Sequence, residues 1–454
     1  MAGAQALTLA ALAAVGGVTA VAVTDAELRD GVAKIAEEVA DARGLPAPRA
    51  LERRLVSRGE AEAARDAALE ATVGGPDAVA RARLWERLGL LPEGADYPAL
   101  VARSLGAPAA SYDVVRRRLT VPSWIPLVDQ QTALAHELAH AVTDQRFGLR
   151  QLLGIGLDGH HALDGDAERA RLALIEGDAS VAALERMDPR GAFQSRPELT
   201  TLAERLRAAP PTSTPSWIRA GAIFAHAEGL LFVGRVRARA PWTAVNALWE
   251  DPPASSEQVL HPEKYLAREK PVTVTIAKPP ALGEAWKEAA SDVLGELGAR
   301  TWLGLAAPRA LAERAAAGWG GDRAALYEPV APPPRFPPDA GVADAGVPPP
   351  PRPFVAWSTV WDDVTDADDF ARNAAPVLAV LSGDAAAATP DDPDRVVARR
   401  GPLVWALARR GAAVTLLLGA PESALAAIEE LLPPAVAPGK KGKLARPGAG
   451  VRPK

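Results

Sequence analysis

Cysteine is absent from the 454 residues. That excludes disulfides, thiolate zinc sites, iron–sulfur clusters, a cysteine nucleophile and a lipidated N-terminal cysteine. It does not choose a compartment, because a reducing cytosol and an export route without disulfides both fit. A one-sided charge is missing too. Against 51 basic residues stand 56 acidic ones, for a formal net charge of −5, so no basic excess points to nucleic acid. Histidine is scarce. The six are His136, His140, His160, His161, His226 and His261, and their rarity makes their placement informative.

What is present is ordinary for a folded chain: 48% apolar and 24% charged residues. Those proportions exclude a wholly disordered protein, and the length allows roughly three domains. Residues 6–23 form an uncharged apolar stretch with no Lys or Arg before Arg29. Residues 1–24 are therefore expected to be a signal peptide or anchor, with export as the consequence and membrane contact confined to that segment. A buried Ala-rich helix is the alternative.

Apolar spacing of three and four residues predicts helices from Asp25 to about Leu105. Leu119, Val121 and Trp124 suggest a short strand, with Pro122 and Pro126 confining it to an edge. Strong helices are expected over Gln130–Arg146 and Asp164–Met187, with a loop at 149–163 between them. A further helix, about Ser216–Arg239, carries His226. The alternation in VTVTI at 272–276 predicts a strand, and helices are expected across 281–318. Residues 329–353 are Pro-rich and read as a linker or insertion. Residues 354–436, with strands at 354–361, 395–407 and 412–418, read as a small α+β unit. The basic tail 437–454 reads as disordered. The main unit is then 25–328.

His136-Glu137-Leu138-Ala139-His140 is an H-E-x-x-H sequence within one expected helix. Positions i and i+4 stack on one helical face, so both imidazoles can reach one metal ion. Glu137 stands beside the first ligand. Zinc lowers the pKa of the water it holds to about 7, and a neighbouring carboxylate can take the proton as the water attacks a carbonyl. The alternative is a pair of core histidines that merely hydrogen-bond, but two His and a Glu buried together are costly unless each finds a partner.

Catalytic zinc takes three protein ligands and keeps one open position. Without cysteine the third is His, Glu or Asp. Glu176 and Asp178 interrupt an apolar run from Leu172 to Leu184, and Glu176 is the leading candidate, with a buried ion pair to an Arg as the alternative. His160 and His161 are rival ligands. Asp144, four residues after His140, and Asp178 are candidates to orient a ligand imidazole. A donor to the oxyanion is also needed, and His226, His261 and Tyr265 are the candidates.

TALAHELAHAVTDQRFGL, DAERARLALIEGDA, HAEGLLFV and PPASSEQVLHPEKYL follow in that order. Together they resemble a group of uncharacterised bacterial proteins read as zinc metallopeptidases. Those carry HExxH-A-x-x-D-Q-x-F-x-L, a later E-G-D-A, an aromatic-x-x-G-x-x-F-V segment and S-T-E-Q-I-L-H-P-E-K-Y. The resemblance covers roughly residues 30–330. His226 stands where that group has Tyr, and Ser255-Ser256 replaces Ser-Thr. The helix HELAHAVTD also looks like that of thermolysin-type gluzincins, and this likeness implies Glu176 as third ligand.

The expectation is a mainly helical α+β protein: a zincin-like domain followed by a small α+β unit. It would hydrolyse peptide bonds of a peptide or protein substrate. His136, His140 and Glu176 would hold Zn²⁺, and Glu137 would be the base. The alternatives are a metal-stabilised binding or scaffold protein, which a fourth protein ligand such as His160 or His226 would favour, and a metallohydrolase of another substrate class.

Overall fold

The computed structural model describes residues 25–105, 110–156, 161–188, 196–208, 214–276, 278, 280–330 and 352–433. The expected N-terminal signal or anchor, most of the Pro-rich stretch and the basic tail lie outside the described residues. The architecture is α+β and mainly helical, with two sheets. No described helix is long and apolar enough to cross a membrane.

The first half is built around the helix Gln131–Phe147, which carries the H-E-x-x-H sequence. Every residue from Ala133 to Asp144 is buried. A helix buried all round must be enclosed by other elements, and here the N-terminal helix Asp25–Arg43, the helix Gly165–Met187 and a small sheet enclose it. That sheet holds β1 (Glu52–Val56), β2 (Ser111–Asp113) and β3 (Arg118–Pro122) in the order β1-β3-β2. β1 runs parallel and β2 antiparallel to β3. The helical pattern expected from 25 to 105 is thus interrupted by a strand. β3 is also the central strand and not the edge that its prolines suggested. Pro122 closes the strand and pairs in register with Val56.

The second half is a six-stranded antiparallel sheet. Its strands are β4 (Trp286–Asp292), β5 (Trp319–Pro329), β6 (Phe354–Trp361), β7 (Arg395–Arg400), β8 (Leu403–Arg410) and β9 (Ala413–Pro421), in the order β4-β5-β6-β9-β8-β7. The helix Val364–Ser382 packs on one face, and residues Ala424–Leu432 help to cover the other. β4 and β5, expected on the N-terminal side of the boundary at 329–353, pair with β6 on its far side. The break in composition is therefore not a break in the sheet. β4 also replaces part of the helical stretch expected over 281–318. The strand expected at 395–407 is a hairpin turning at Gly401.

Residues 272–276 are not a strand. Val272 N–H reaches Gly320 O at 2.7 Å, and Val274 packs into the core under the sheet, but no ladder continues. Alternation buried a side chain there without a ladder forming.

The stretch Ser255–Tyr265 braces the two halves. Ser256 N–H donates to Asp166 Oδ2 (3.0 Å), and Ser256 Oγ accepts from Leu297 N–H (3.1 Å). Lys264 pairs with Glu257 beside it and with Asp362 (2.8 Å), just beyond β6. Glu257, Glu269 and Asp362 lie close enough to suggest a cation site, but the Lys264 ammonium already sits among all three.

Candidate metal centre

The two helices that carry the motif residues lie side by side, and a third crosses them with a local π turn, Phe224–Glu228. Two glycines permit the approach. A Cβ on Gly177 would stand 2.2 Å from Gly229 O, and one on Gly229 would stand 2.1 Å from Ala173 O. No larger residue fits between these backbones. The glycines of the E-G-D-A and A-E-G segments thus have a packing reason, and their contact carries Glu176 and His226 towards each other. π turns inside helices often mark functional sites.

His136, Glu137, His140, Glu176 and His226 come together, and all are buried. His136, at 6%, is the most exposed. His136 Nε2 lies 3.0 Å from Glu176 Oε2, and His140 Nε2 lies 3.4 Å from the same oxygen. The two Nε2 atoms are 3.2 Å apart. His226 Nδ1 is 3.5 Å from Glu176 Oε2. Donors held about 2.1 Å from one tetrahedral zinc lie about 3.4 Å from one another. The three short separations fit that figure. Glu176 Oε1 is buried and has no hydrogen-bond partner among the described residues. Imidazoles beside a carboxylate whose second oxygen is orphaned are a donor set that suits a divalent cation, and the groups whose donor atoms lie close enough together to hold one are His136, Glu176 and His226, and His136, Glu137 and His140.

The two carboxyls of the site are driven apart. Burial pushes Glu137 up to about 8, and Glu176 adds to the rise, while His136 and the Tyr112 N–H work the other way. At Glu176 burial also opposes ionisation, but the imidazoles of His140, His226 and His136 outweigh it and hold the carboxyl well below its ordinary range. One carboxyl is thus held ionised, and its neighbour is held towards the protonated form.

The remaining candidates lie elsewhere. Asp144 does not orient a histidine. It accepts from Tyr112 Oη (2.8 Å) and Leu149 N–H (2.8 Å) and pairs with Arg117 (3.2 Å). Asp178 points away from the His–Glu cluster into a buried bidentate pair with Arg43 (2.7 and 2.8 Å), with Trp249 Nε1 donating at 3.0 Å. Two residues along a helix turn a side chain through about 200°, so Glu176 and Asp178 cannot share a face. His261 bonds Glu296 (3.0 Å) and is not brought to the cluster. Tyr265 Oη donates to Asp251 O (2.7 Å). Of the rival ligands, His161 pairs with Glu168 (3.2 Å), and His160 lies outside the described residues.

Sequence reading missed Tyr112. Its N–H donates to Glu137 Oε2 at 2.7 Å, a contact made by backbone, which leaves no mark in residue type.

Comparison with known proteins reaches the other half of the chain. A family described as a domain of unknown function (DUF8575) matches residues 282–429. That span takes in all six strands of the larger sheet and none of the His–Glu cluster. No curated protein matches. No solved structure matches either.

Proposed function

We propose that the chain is a zinc-dependent hydrolase of peptide bonds whose first half is a zincin-like domain. The observation that carries this reading is the convergence of His136 Nε2, His140 Nε2 and Glu176 Oε2 with a further carboxylate, Glu137, buried close to both imidazoles. When bound, the cation would supply a Lewis acid that polarises a carbonyl and eases deprotonation of water. Glu137 would take the proton of the attacking water and pass it to the nitrogen of the leaving amine. His226 would donate a hydrogen bond to the oxygen on which negative charge grows.

An extended substrate cannot add to β3, which has strands on both sides. β2 is the strand nearest the base, and its Tyr112 N–H is already given to Glu137.

A second reading rests on His226. Glu176 Oε2 with three imidazole nitrogens around it, and with so little exposure, also suits a closed four-donor metal site that stabilises the fold without turnover. The deciding experiment measures zinc content and hydrolysis of a denatured protein substrate for the wild type, Glu137→Gln and His226→Ala. Full metal with lost hydrolysis in Glu137→Gln supports the hydrolase. A wild type that binds zinc tightly, hydrolyses nothing, and loses zinc in His226→Ala supports the closed site.

A further inference from the structure

Glu137 and Asp144 stand seven residues apart on one helix, two turns along the same face. One residue of the neighbouring strand holds both. Tyr112 gives its backbone N–H to Glu137 Oε2 (2.7 Å) and its hydroxyl to Asp144 Oδ2 (2.8 Å). Tyr112, Glu137 and Asp144 are all at least nine-tenths buried. Asp144 is itself fixed, by Leu149 N–H on its other oxygen and by Arg117. On the far side, β2 is paired in register with β3.

From this we infer that Tyr112 is a positioning residue for Glu137, anchored through its hydroxyl on Asp144. The inference rests on the proposed role of Glu137 as base and explains what aims it. A glutamate has three side-chain torsions, and a buried one without a partner would sample several rotamers. A backbone N–H donates but cannot accept a proton. It can therefore hold one carboxylate oxygen without competing for the proton in transfer, which falls to the other oxygen, Oε1. The strand could slide along the helix if β2 were held by β3 alone. The Tyr112 hydroxyl prevents this by tying the strand to a point two turns further along. The assignment also gives Asp144 a task different from orienting His140.

The chain has four tyrosines, Tyr97, Tyr112, Tyr265 and Tyr327, so full-length protein labelled with ¹⁵N-tyrosine and supplied with zinc yields a simple amide spectrum. Glu137→Gln replaces a charged acceptor with a neutral one and is expected to move the amide proton of residue 112 upfield more than the other three. Tyr112→Phe removes only the hydroxyl. Read with ¹⁵N-phenylalanine, the response of residue 112 to Glu137→Gln is then expected to fall to less than half its wild-type size. In hydrolysis, Tyr112→Phe is expected to lower kcat about tenfold with KM and zinc content unchanged, a split that general loosening of the fold would not produce. Four unmoved tyrosine signals in Glu137→Gln, or an undiminished response in Tyr112→Phe, overturns the inference. A wild type without hydrolysis overturns the hydrolase reading instead, and the two spectra still decide whether Tyr112 holds Glu137.

Discussion

His136 Nε2 and Glu176 Oε2 lie 3.0 Å apart although forty residues separate them in the chain. The contact joins two helices of the first half that each bury most of their residues. It sets the conditions for a cation: a buried imidazole and a buried carboxylate face each other, and the second carboxylate oxygen lacks a hydrogen bond among the described residues.

Zinc should therefore stabilise the protein, because it binds donors that exist as a set only in the folded state. At a free zinc concentration one hundred times the dissociation constant the gain is about 2.7 kcal/mol. Thermal unfolding with and without chelator checks it. Glu176→Ala is expected to weaken zinc binding at least about a hundredfold and to abolish the stabilisation.

Arg43 and Asp178 form an ion pair with no solvent exposure on either side chain. Arg43→Ala leaves the carboxylate buried against Trp249 Nε1 alone, and the expected loss is about 3–5 kcal/mol in urea unfolding. Replacing both partners, Arg43→Met with Asp178→Leu, should restore much of it, since the cost lies in the unpaired charge.

Gly177→Ala forces the Glu176 helix away from the crossing helix, where Gly229 O would be 2.2 Å from the new carbon. The expected destabilisation is about 1–3 kcal/mol. Zinc affinity should fall as well, because Glu176 is displaced from His136. Isothermal titration of zinc into the folded variant reads the second effect.

Asp166 and Asp322, buried where the halves meet, give the protein a pH dependence. Burial raises Asp166 to about 7 and Asp322 to about 6, above their unfolded value of about 3.9. The folded state then binds more protons than the unfolded state between these values. The contribution is full below pH about 4 and is lost as pH rises through about 7. For Asp166 it amounts to at most about 4 kcal/mol. Urea midpoints at pH 5 and pH 8 should show a smaller decline in Asp166→Asn than in the wild type, and an equal decline would contradict the burial argument.

Some of this could be read along the chain. The pairing of His136 with His140 needs only helical periodicity, and the helix needs only its own residues. Glu176 stood out because a carboxylate in an apolar run needs a partner. His226 could be named but not assigned, since the π turn that aims it arises from packing against the Glu176 helix. Asp144 and Asp178 were legible as acids near the site, but their partners, Tyr112 and Arg43, lie 32 and 135 residues away. The strand at 272–276 went wrong for the opposite reason: its alternation is real, yet a strand also requires a ladder of backbone bonds, and Val272 makes a single one to Gly320.

Local sequence by itself determined the pair of histidines on one helical face, the scarcity of other ligands and the mainly helical character of the chain, because each follows from interactions within a few residues. Tertiary structure alone decided that a third helix brings His226 to the same oxygen, that a backbone N–H holds Glu137, and that one sheet spans the Pro-rich stretch. Those depend on which surfaces exclude water together, and that choice is made between segments far apart in the chain.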